Sequence, residues 1–154
     1  MRLSRKLVFD TYAILALIED EPGAQTVAEI ISDEEAEIYM SVISLGEAYY
    51  ILLRRQGEQA AEEVVRDTLM EESITLVEVP WPRVKDAARI KAKGGFSYAD
   101  AFVLALAQEI KAPVVTGDPE IQAVSEELNI DIVWIGAENA KERPQNGTPP
   151  CEES

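Results

Sequence analysis

The chain has 154 residues, with 29 acidic against 14 basic side chains and a formal net charge of −15. It has no histidine and one cysteine, Cys151, which excludes Ser-His-Asp and Cys-His catalysis, histidine-based metal sites and an intrachain disulfide. The 47% hydrophobic content is typical of an ordinary globular domain, and no apolar run approaches the roughly 20 residues of a membrane helix. We expect a cytoplasmic protein with no membrane segment, because the basic start of the chain lacks the pattern of a signal peptide.

Short apolar runs alternate with longer segments of helical period, which predicts βαβ units and a parallel sheet. The predicted strands are Lys6–Phe9, Glu37–Ser41, Ile74–Val79, Pro113–Thr116 and Asp131–Ile135. The predicted helices are Thr11–Ile18, Pro22–Ser32, Ser44–Arg55, Glu58–Glu72, Pro82–Lys93, Tyr98–Ile110 and Pro119–Leu128. Residues 1–136 are expected to form one α/β domain, and the polar residues 137–154 a flexible tail.

Four carboxylates stand at corresponding places in this pattern. Asp10 interrupts the apolar stretch KLVFDTYAILALI directly after the first strand, and Asp118 directly follows the fourth. Glu47 is expected in the first turn of the helix after the second strand, and Asp100 opens the most apolar helix. The carboxyl ends of parallel strands share one edge of an open sheet, so all four acids are expected at the crevice outside that edge.

Each acid also has a simpler structural explanation, because acids are common at helix N-termini. Asp10 and Asp118 directly precede predicted helices and could cap them. The other two acids have the spacing of capping boxes, Ser44 with Glu47 and Ser97 with Asp100. The two explanations overlap, since a helix that begins at the crevice serves both.

Taken together, the acids favour a metal site. Four carboxylates at one edge would repel one another and raise some of their pKa values, which a protein tolerates mainly where a cation fills the cluster. Without histidine or thiolate the ligand atoms are all oxygens, which suits Mg²⁺ or Mn²⁺. The pattern therefore predicts one or two such ions, with Asp10, Glu47, Asp100 and Asp118 as ligands.

The acids lie in the segments VFDTYAILALI, SVISLGEAYYILLRR, SYADAFVLALA and PVVTGDPEI. In this order and spacing the segments, which span about residues 7–135, resemble the PIN-domain ribonucleases, especially the VapC-type toxins of bacteria and archaea. The resemblance implies a three-layer α/β/α PIN-like fold with a central parallel sheet of four to five strands. It also implies that the four acids are catalytic and that Thr116 supports the first aspartate. Tyr12 departs from the family, many of whose members have a small residue there.

The activity that the resemblance implies is that of a metal-dependent endoribonuclease, the toxin of a toxin–antitoxin pair. Such toxins are usually homodimers that a small antitoxin protein neutralises. Two divalent ions about 4 Å apart could clamp the attacking and leaving oxygens during RNA hydrolysis. Besides Thr116, the hydroxyls of Thr11 and Ser44 are weaker candidates for orienting the carboxylates.

The basic residues of the chain are few. Phosphate contacts with the RNA substrate are predicted for Arg54, Arg55, Arg89 and Lys93. A solvated helix face is the simpler explanation of the same residues.

Two other functions fit parts of the pattern. A PIN-fold binding module without significant catalysis would agree with the charge of −15, although the complete set of acids argues against it. A phosphatase of the haloacid-dehalogenase type also begins with an aspartate after the first strand. That chemistry needs a second acid two residues later, where this chain has Tyr12.

Overall fold

The computed structural model describes residues 5–137, so the predicted tail lies outside the described residues except for Ala137. The elements in chain order are β1 (Arg5–Phe9), α1 (Thr11–Ile18), α2 (Ala24–Ser32), β2 (Ala36–Ser41), α3 (Val42–Gln56), α4 (Glu58–Met70), β3 (Ile74–Val77), α5 (Trp81–Lys91), α6 (Tyr98–Ile110), β4 (Val114–Thr116), α7 (Pro119–Ser125) and β5 (Ile132–Trp134). No helix among these residues is both long enough and apolar enough to span a membrane.

The five strands form one sheet in the order β3-β2-β1-β4-β5, and every neighbouring pair is parallel. The chain builds outward from β1 in one direction through β2 and β3, and in the other through β4 and β5. The order therefore reverses between β1 and β4, and ligands of open α/β sheets bind at such a switch point, outside the carboxyl ends of the strands.

Helices cover both faces of the sheet, which confirms the predicted three-layer α/β/α fold. Along β1, Leu7 and Phe9 pack into a core with residues of α1, α2, α3 and α4, while Val8 packs into a second core with α5, α6 and α7. Successive side chains of a strand point to opposite faces, so a strand with two buried faces reads as a continuous apolar run. Helix α6 is buried along most of its length, as its apolar sequence predicts.

The start of α3 differs from the prediction. Ser41, the last residue of β2, caps the helix by accepting a hydrogen bond of 3.1 Å from the Ile43 N–H, and the helix begins at Val42. The predicted capping box of Ser44 and Glu47 is therefore wrong, and Glu47 lies in the second helical turn rather than the first. The reason is that the chain turns from strand to helix without a loop, so the earlier serine is the one at the helix end.

Helices α2 and α7 are among those that are shorter than predicted at one end. Helix α2 begins at Ala24, after Gly23 at φ +97°. A Cβ on that glycine would lie 2.3 Å from the Ile135 carbonyl oxygen. The turn therefore requires glycine both for its positive φ and for this close approach. Helix α7 ends at Ser125 rather than Leu128, and the chain leaves it through Asn129 at φ +58°, a conformation that asparagine tolerates.

Candidate active site

Asp10 lies where β1 ends and α1 begins, and its side chain is only 3% exposed. Its Oδ1 accepts a hydrogen bond of 3.0 Å from the Ala13 N–H, so it caps α1. Its Oδ2 accepts a short hydrogen bond from the hydroxyl of Thr116, at the end of the neighbouring strand β4. The same carboxylate therefore caps α1 and lies at the switch point of the sheet.

The surroundings of Asp10 disfavour its charge. Burial is the main cause that raises its pKa to about 7, and the carboxylates of Asp118 and Asp100 add to the rise. The hydrogen bonds from Thr116 and Ala13 act in the opposite direction but do not offset the burial. A buried carboxylate of this kind takes up a proton near neutral pH unless a cation compensates its charge.

Asp100 lies in the first turn of α6 and forms the predicted capping box with Ser97. The Asp100 N–H donates to Ser97 Oγ at 3.0 Å, and the Ser97 N–H donates to Asp100 Oδ2 at 3.3 Å. Burial, and then the charge of Asp118, raise the pKa of Asp100 to about 6. The capping box holds this carboxylate towards the same edge of the sheet as Asp10.

Asp118 caps α7, accepting a hydrogen bond of 2.8 Å on Oδ1 from the Glu120 N–H. Its own N–H donates to the hydroxyl of Thr116 at 2.9 Å. The Thr116 hydroxyl thus accepts from the backbone at Asp118 and donates to the side chain of Asp10. One side chain links the loops that carry two of the four predicted acids.

The tightest grouping of acids includes a residue that the sequence prediction missed. Oxygens of Asp100, Asp118 and Glu120, which we call the acidic triplet, all lie within 4.8 Å of one another. Within residues 5–137 the four predicted acids do not all meet at that spacing, since Asp10 and Glu47 stand outside the triplet. The signal that could have identified Glu120 is its place two residues after Asp118, in the first turn of the helix that Asp118 caps.

Glu47 is half-buried on α3 and is held by Thr11. The Thr11 hydroxyl lies 2.5 Å from Glu47 Oε1 and 3.2 Å from the carbonyl oxygen of Ser44, so the carboxylate is its main acceptor. The charge of Glu47 contributes to the raised pKa of Asp100, which places it within electrostatic reach of the triplet.

The Ser44 side chain is fully buried, one helical turn before Glu47, and among the described residues its Oγ has no hydrogen-bond partner. A buried polar atom without a partner is uncommon and points to a missing water or ligand. Among residues 5–137 no ion pair joins the buried carboxylates of Asp10 and Asp100 to a basic side chain. The arrangement therefore fits a hydrated cation, and an oxygen-only set of donors fits a hard divalent ion.

The predicted phosphate contacts lie on exposed helix surfaces. Arg55 forms an ion pair with Glu19 at 2.7 Å. Arg89 and Lys93 line a shallow surface hollow beside the second half of α6, and Arg54 is exposed on α3. In the described part of the chain no ion pair joins any of these four basic residues to the four predicted acids.

Comparison with known proteins finds a matching family and a relative in sequence. Residues 7–127 match the profile of the PIN domain family. The chain is 30% identical over 117 residues to the ribonuclease VapC of Mycolicibacterium smegmatis, an alignment of 71% of this chain and 88% of that protein.

Two solved structures share the fold. VapC20 of Mycobacterium tuberculosis, a toxin that cleaves the sarcin-ricin loop, is 19% identical with a TM-score of 0.66, covering 77% of this chain and 94% of that chain. VapBC2 of Rickettsia felis, bound to a DNA fragment from its promoter, is 12% identical with a TM-score of 0.64, covering 84% and 98%.

Proposed function

The chain belongs to the PIN domain family, and from its carboxylates we propose that it is a metal-dependent endoribonuclease, the toxin of a toxin–antitoxin pair. The observation that carries the proposal is the buried Asp10, with a pKa near 7, held by Thr116 beside the acidic triplet at the switch point of the sheet. A protein that needed only helix caps would not require acids of this burial. The ribonuclease activity named for the relative from M. smegmatis supports the same conclusion.

The residues that would hold the metal are the acidic triplet and Asp10, with Glu47 binding an ion or orienting a water molecule. When bound, one or two Mg²⁺ or Mn²⁺ ions supply an activated water and stabilise the negative charge that develops on the phosphate. Asp10 releases its proton when its carboxylate becomes a ligand, because a ligand carboxylate must be ionised. Thr116 and Thr11 keep the carboxylates of Asp10 and Glu47 in place through the hydrogen bonds described above.

The proposed partners follow from the same site. An antitoxin segment could block the carboxylates by inserting an Arg or Lys side chain, which a cluster of acids binds through charge-assisted hydrogen bonds. The likeness in fold to VapBC2 from R. felis supports an antitoxin as a partner. We further propose that the protein is a cytoplasmic homodimer.

One observation favours a different function. The net charge of −15 opposes RNA binding, and this would suit a PIN-fold binding module without significant catalysis. Metal binding would not separate the two functions, whereas turnover would.

The test is cleavage of a mixed RNA pool by the purified protein with Mn²⁺ or Mg²⁺, beside an EDTA control. We expect metal-dependent cleavage that leaves 5′-phosphate ends and is abolished in Asp100→Asn. A matched control is Asp67→Asn, the same change at an exposed aspartate on α4, which should cleave at the normal rate. Metal binding without cleavage by the unmodified protein would favour the binding module instead.

A further inference from the structure

Tyr12 lies two residues after Asp10, in the first turn of α1, and its ring packs against the loop between Thr116 and Asp118. A Cβ added to Gly117 would lie 2.4 Å from both Cε1 and Cζ of the ring. Only glycine therefore allows the loop to approach the tyrosine so closely. The ring is in direct contact with the segment that carries two residues of the proposed active site.

The same side chain lines a surface hollow, which we call the Tyr12 hollow. Its lining residues are Tyr12, Leu15, Ala16, Glu19, Glu21 and Arg55. The apolar side chains belong to α1, and the charged ones stand around them. The Arg55 side chain is 56% exposed and is held 2.7 Å from Glu19 Oε1. Because Tyr12 belongs both to this hollow and to the loop contact, the hollow lies next to the loop that carries Thr116 and Asp118.

The phenol of Tyr12 has acidic residues of both places in its surroundings. Burial raises the pKa of Tyr12, and so do the charges of Glu21, Asp10 and Asp118. The phenol is therefore within electrostatic reach of an acid of the hollow and of two acids of the proposed site.

We propose that Tyr12 is a specificity-determining residue whose ring receives one unpaired base of the RNA strand, next to the phosphate that is cleaved. The inference rests on the proposed ribonuclease function and adds a subsite to it. Aromatic side chains are the usual platforms for unstacked RNA bases, because every base presents a π-face. The apolar side chains of Leu15 and Ala16 suit the same planar group.

The charges around the hollow favour a base over a phosphate. Glu21 is exposed there and would repel a phosphate, but its carboxylate can accept a hydrogen bond from an N–H on the edge of a base. A partner protein segment is the rival occupant. A base bound on the ring would lie next to the loop of Thr116 and Asp118, whose residues are proposed to act on the cleaved phosphate.

The test measures RNA affinity in the Asp100→Asn background, which prevents cleavage during the measurement. The probe is a labelled single-stranded RNA dodecamer of mixed sequence in Mg²⁺, and its binding is measured by fluorescence anisotropy. We expect Tyr12→Leu to weaken binding roughly tenfold to a hundredfold, and Tyr12→Phe to bind within about twofold of the parent, since phenylalanine keeps the stacking surface. A matched control is Tyr50→Leu at an exposed tyrosine of α3, which should leave the affinity unchanged.

A second probe separates contacts with the bases from contacts with the backbone. It is the same dodecamer backbone with every base removed, and it should bind the parent and Tyr12→Leu equally well. Equal affinity of the intact RNA for the Leu and Phe variants, or no RNA binding by the parent, would overturn the inference. So would a basic peptide that binds in a Tyr12-dependent manner while RNA does not.

The outcome is separable from that of the proposed function. If RNA cleavage requires metal and Asp100 while the KM of Tyr12→Leu equals that of the unmodified protein, only the proposed subsite is wrong. If no RNA is cleaved at all, the proposed function fails independently of the binding measurement.

Discussion

The hydroxyl of Thr116 is the smallest group on which the proposed site depends. It donates to the buried carboxylate of Asp10 and accepts from the Asp118 N–H, so it joins two loops that meet only in the folded protein. Loss of this hydroxyl would remove one of the two hydrogen bonds that lower the pKa of Asp10.

Thr116→Val keeps the shape of the side chain and removes both hydrogen bonds. We expect the free energy of unfolding to fall by about 1–3 kcal/mol, because two buried polar groups lose their partner. RNA cleavage should fall roughly tenfold to a hundredfold, as is typical when a group that orients a metal ligand is lost. Urea unfolding and cleavage rates measure the two effects. Thr116→Ser keeps the hydroxyl and should retain most of the activity, so equal losses in both variants would contradict this role.

Glu120 is the one member of the acidic triplet that the sequence prediction missed, and Glu120→Gln tests whether it binds the ion. Calorimetric titration with Mn²⁺ should show an affinity roughly tenfold lower, because the variant has one ligand charge fewer. Glu126→Gln, at an exposed acid at the end of the same helix, is the matched control. Unchanged Mn²⁺ affinity in Glu120→Gln would show that the approach of the three carboxylates has no role in metal binding.

At the scale of elements, the start of α6 combines stability with the site. The capping box that begins the helix is also what orients Asp100. The first turn of a helix leaves backbone N–H groups without partners, so the helix stabilises an acid at that position. The same acid can also bind a cation. The structural and functional explanations of this residue are therefore compatible.

Ser97→Ala separates the two contributions. We expect the loss of the cap to lower the free energy of unfolding by about 1 kcal/mol, measured in EDTA by thermal or urea unfolding. Metal affinity should fall less than stability, since the Ser97 backbone N–H that donates to the Asp100 carboxylate remains in the variant. Ser97→Thr keeps a capping hydroxyl and should resemble the parent. An unchanged unfolding curve for Ser97→Ala would indicate that the box contributes nothing to the fold.

At the scale of the whole molecule, the raised pKa values couple stability to pH. Asp10 has a pKa of about 7 and Asp100 of about 6 in the fold, against an ordinary aspartate pKa of 3.8. Between about pH 4 and pH 7 the folded protein therefore holds more protons than the unfolded chain, and the stability contributed by these groups is lost as pH rises through that window.

The metal-free protein should accordingly unfold at a lower temperature at about pH 7.5 than at about pH 5, and Mn²⁺ should restore more stability at the higher pH. Thermal unfolding in EDTA and in Mn²⁺ measures both effects. Self-repulsion of the acidic surface acts in the same direction, so Asp10→Asn provides the control. A pH dependence as steep in Asp10→Asn as in the parent would show that the buried carboxylate is not its source.

Local patterns were enough to predict the elements. All five strands and seven helices lie where the alternation of apolar runs and helical periods places them, and the parallel sheet with covered faces follows from the same alternation. The start of α3 was mispredicted because two serines, Ser41 and Ser44, both suit a helix cap, and the absence of a loop between β2 and α3 decided between them. The local pattern also placed Asp10, Asp100 and Asp118 at the starts of helices on one edge.

Tertiary structure alone decided which of these side chains touch. Thr116 reaches Asp10 across 106 residues of chain because β4 pairs with β1, and Thr11 reaches Glu47 across 36 residues because α1 lies against α3. The closeness of Glu120 to Asp100 and the packing of Tyr12 on Gly117 arise in the same way. Propensity and periodicity depend on neighbours in the chain, whereas a metal site or a base-binding hollow depends on distances that exist only after the sheet has assembled.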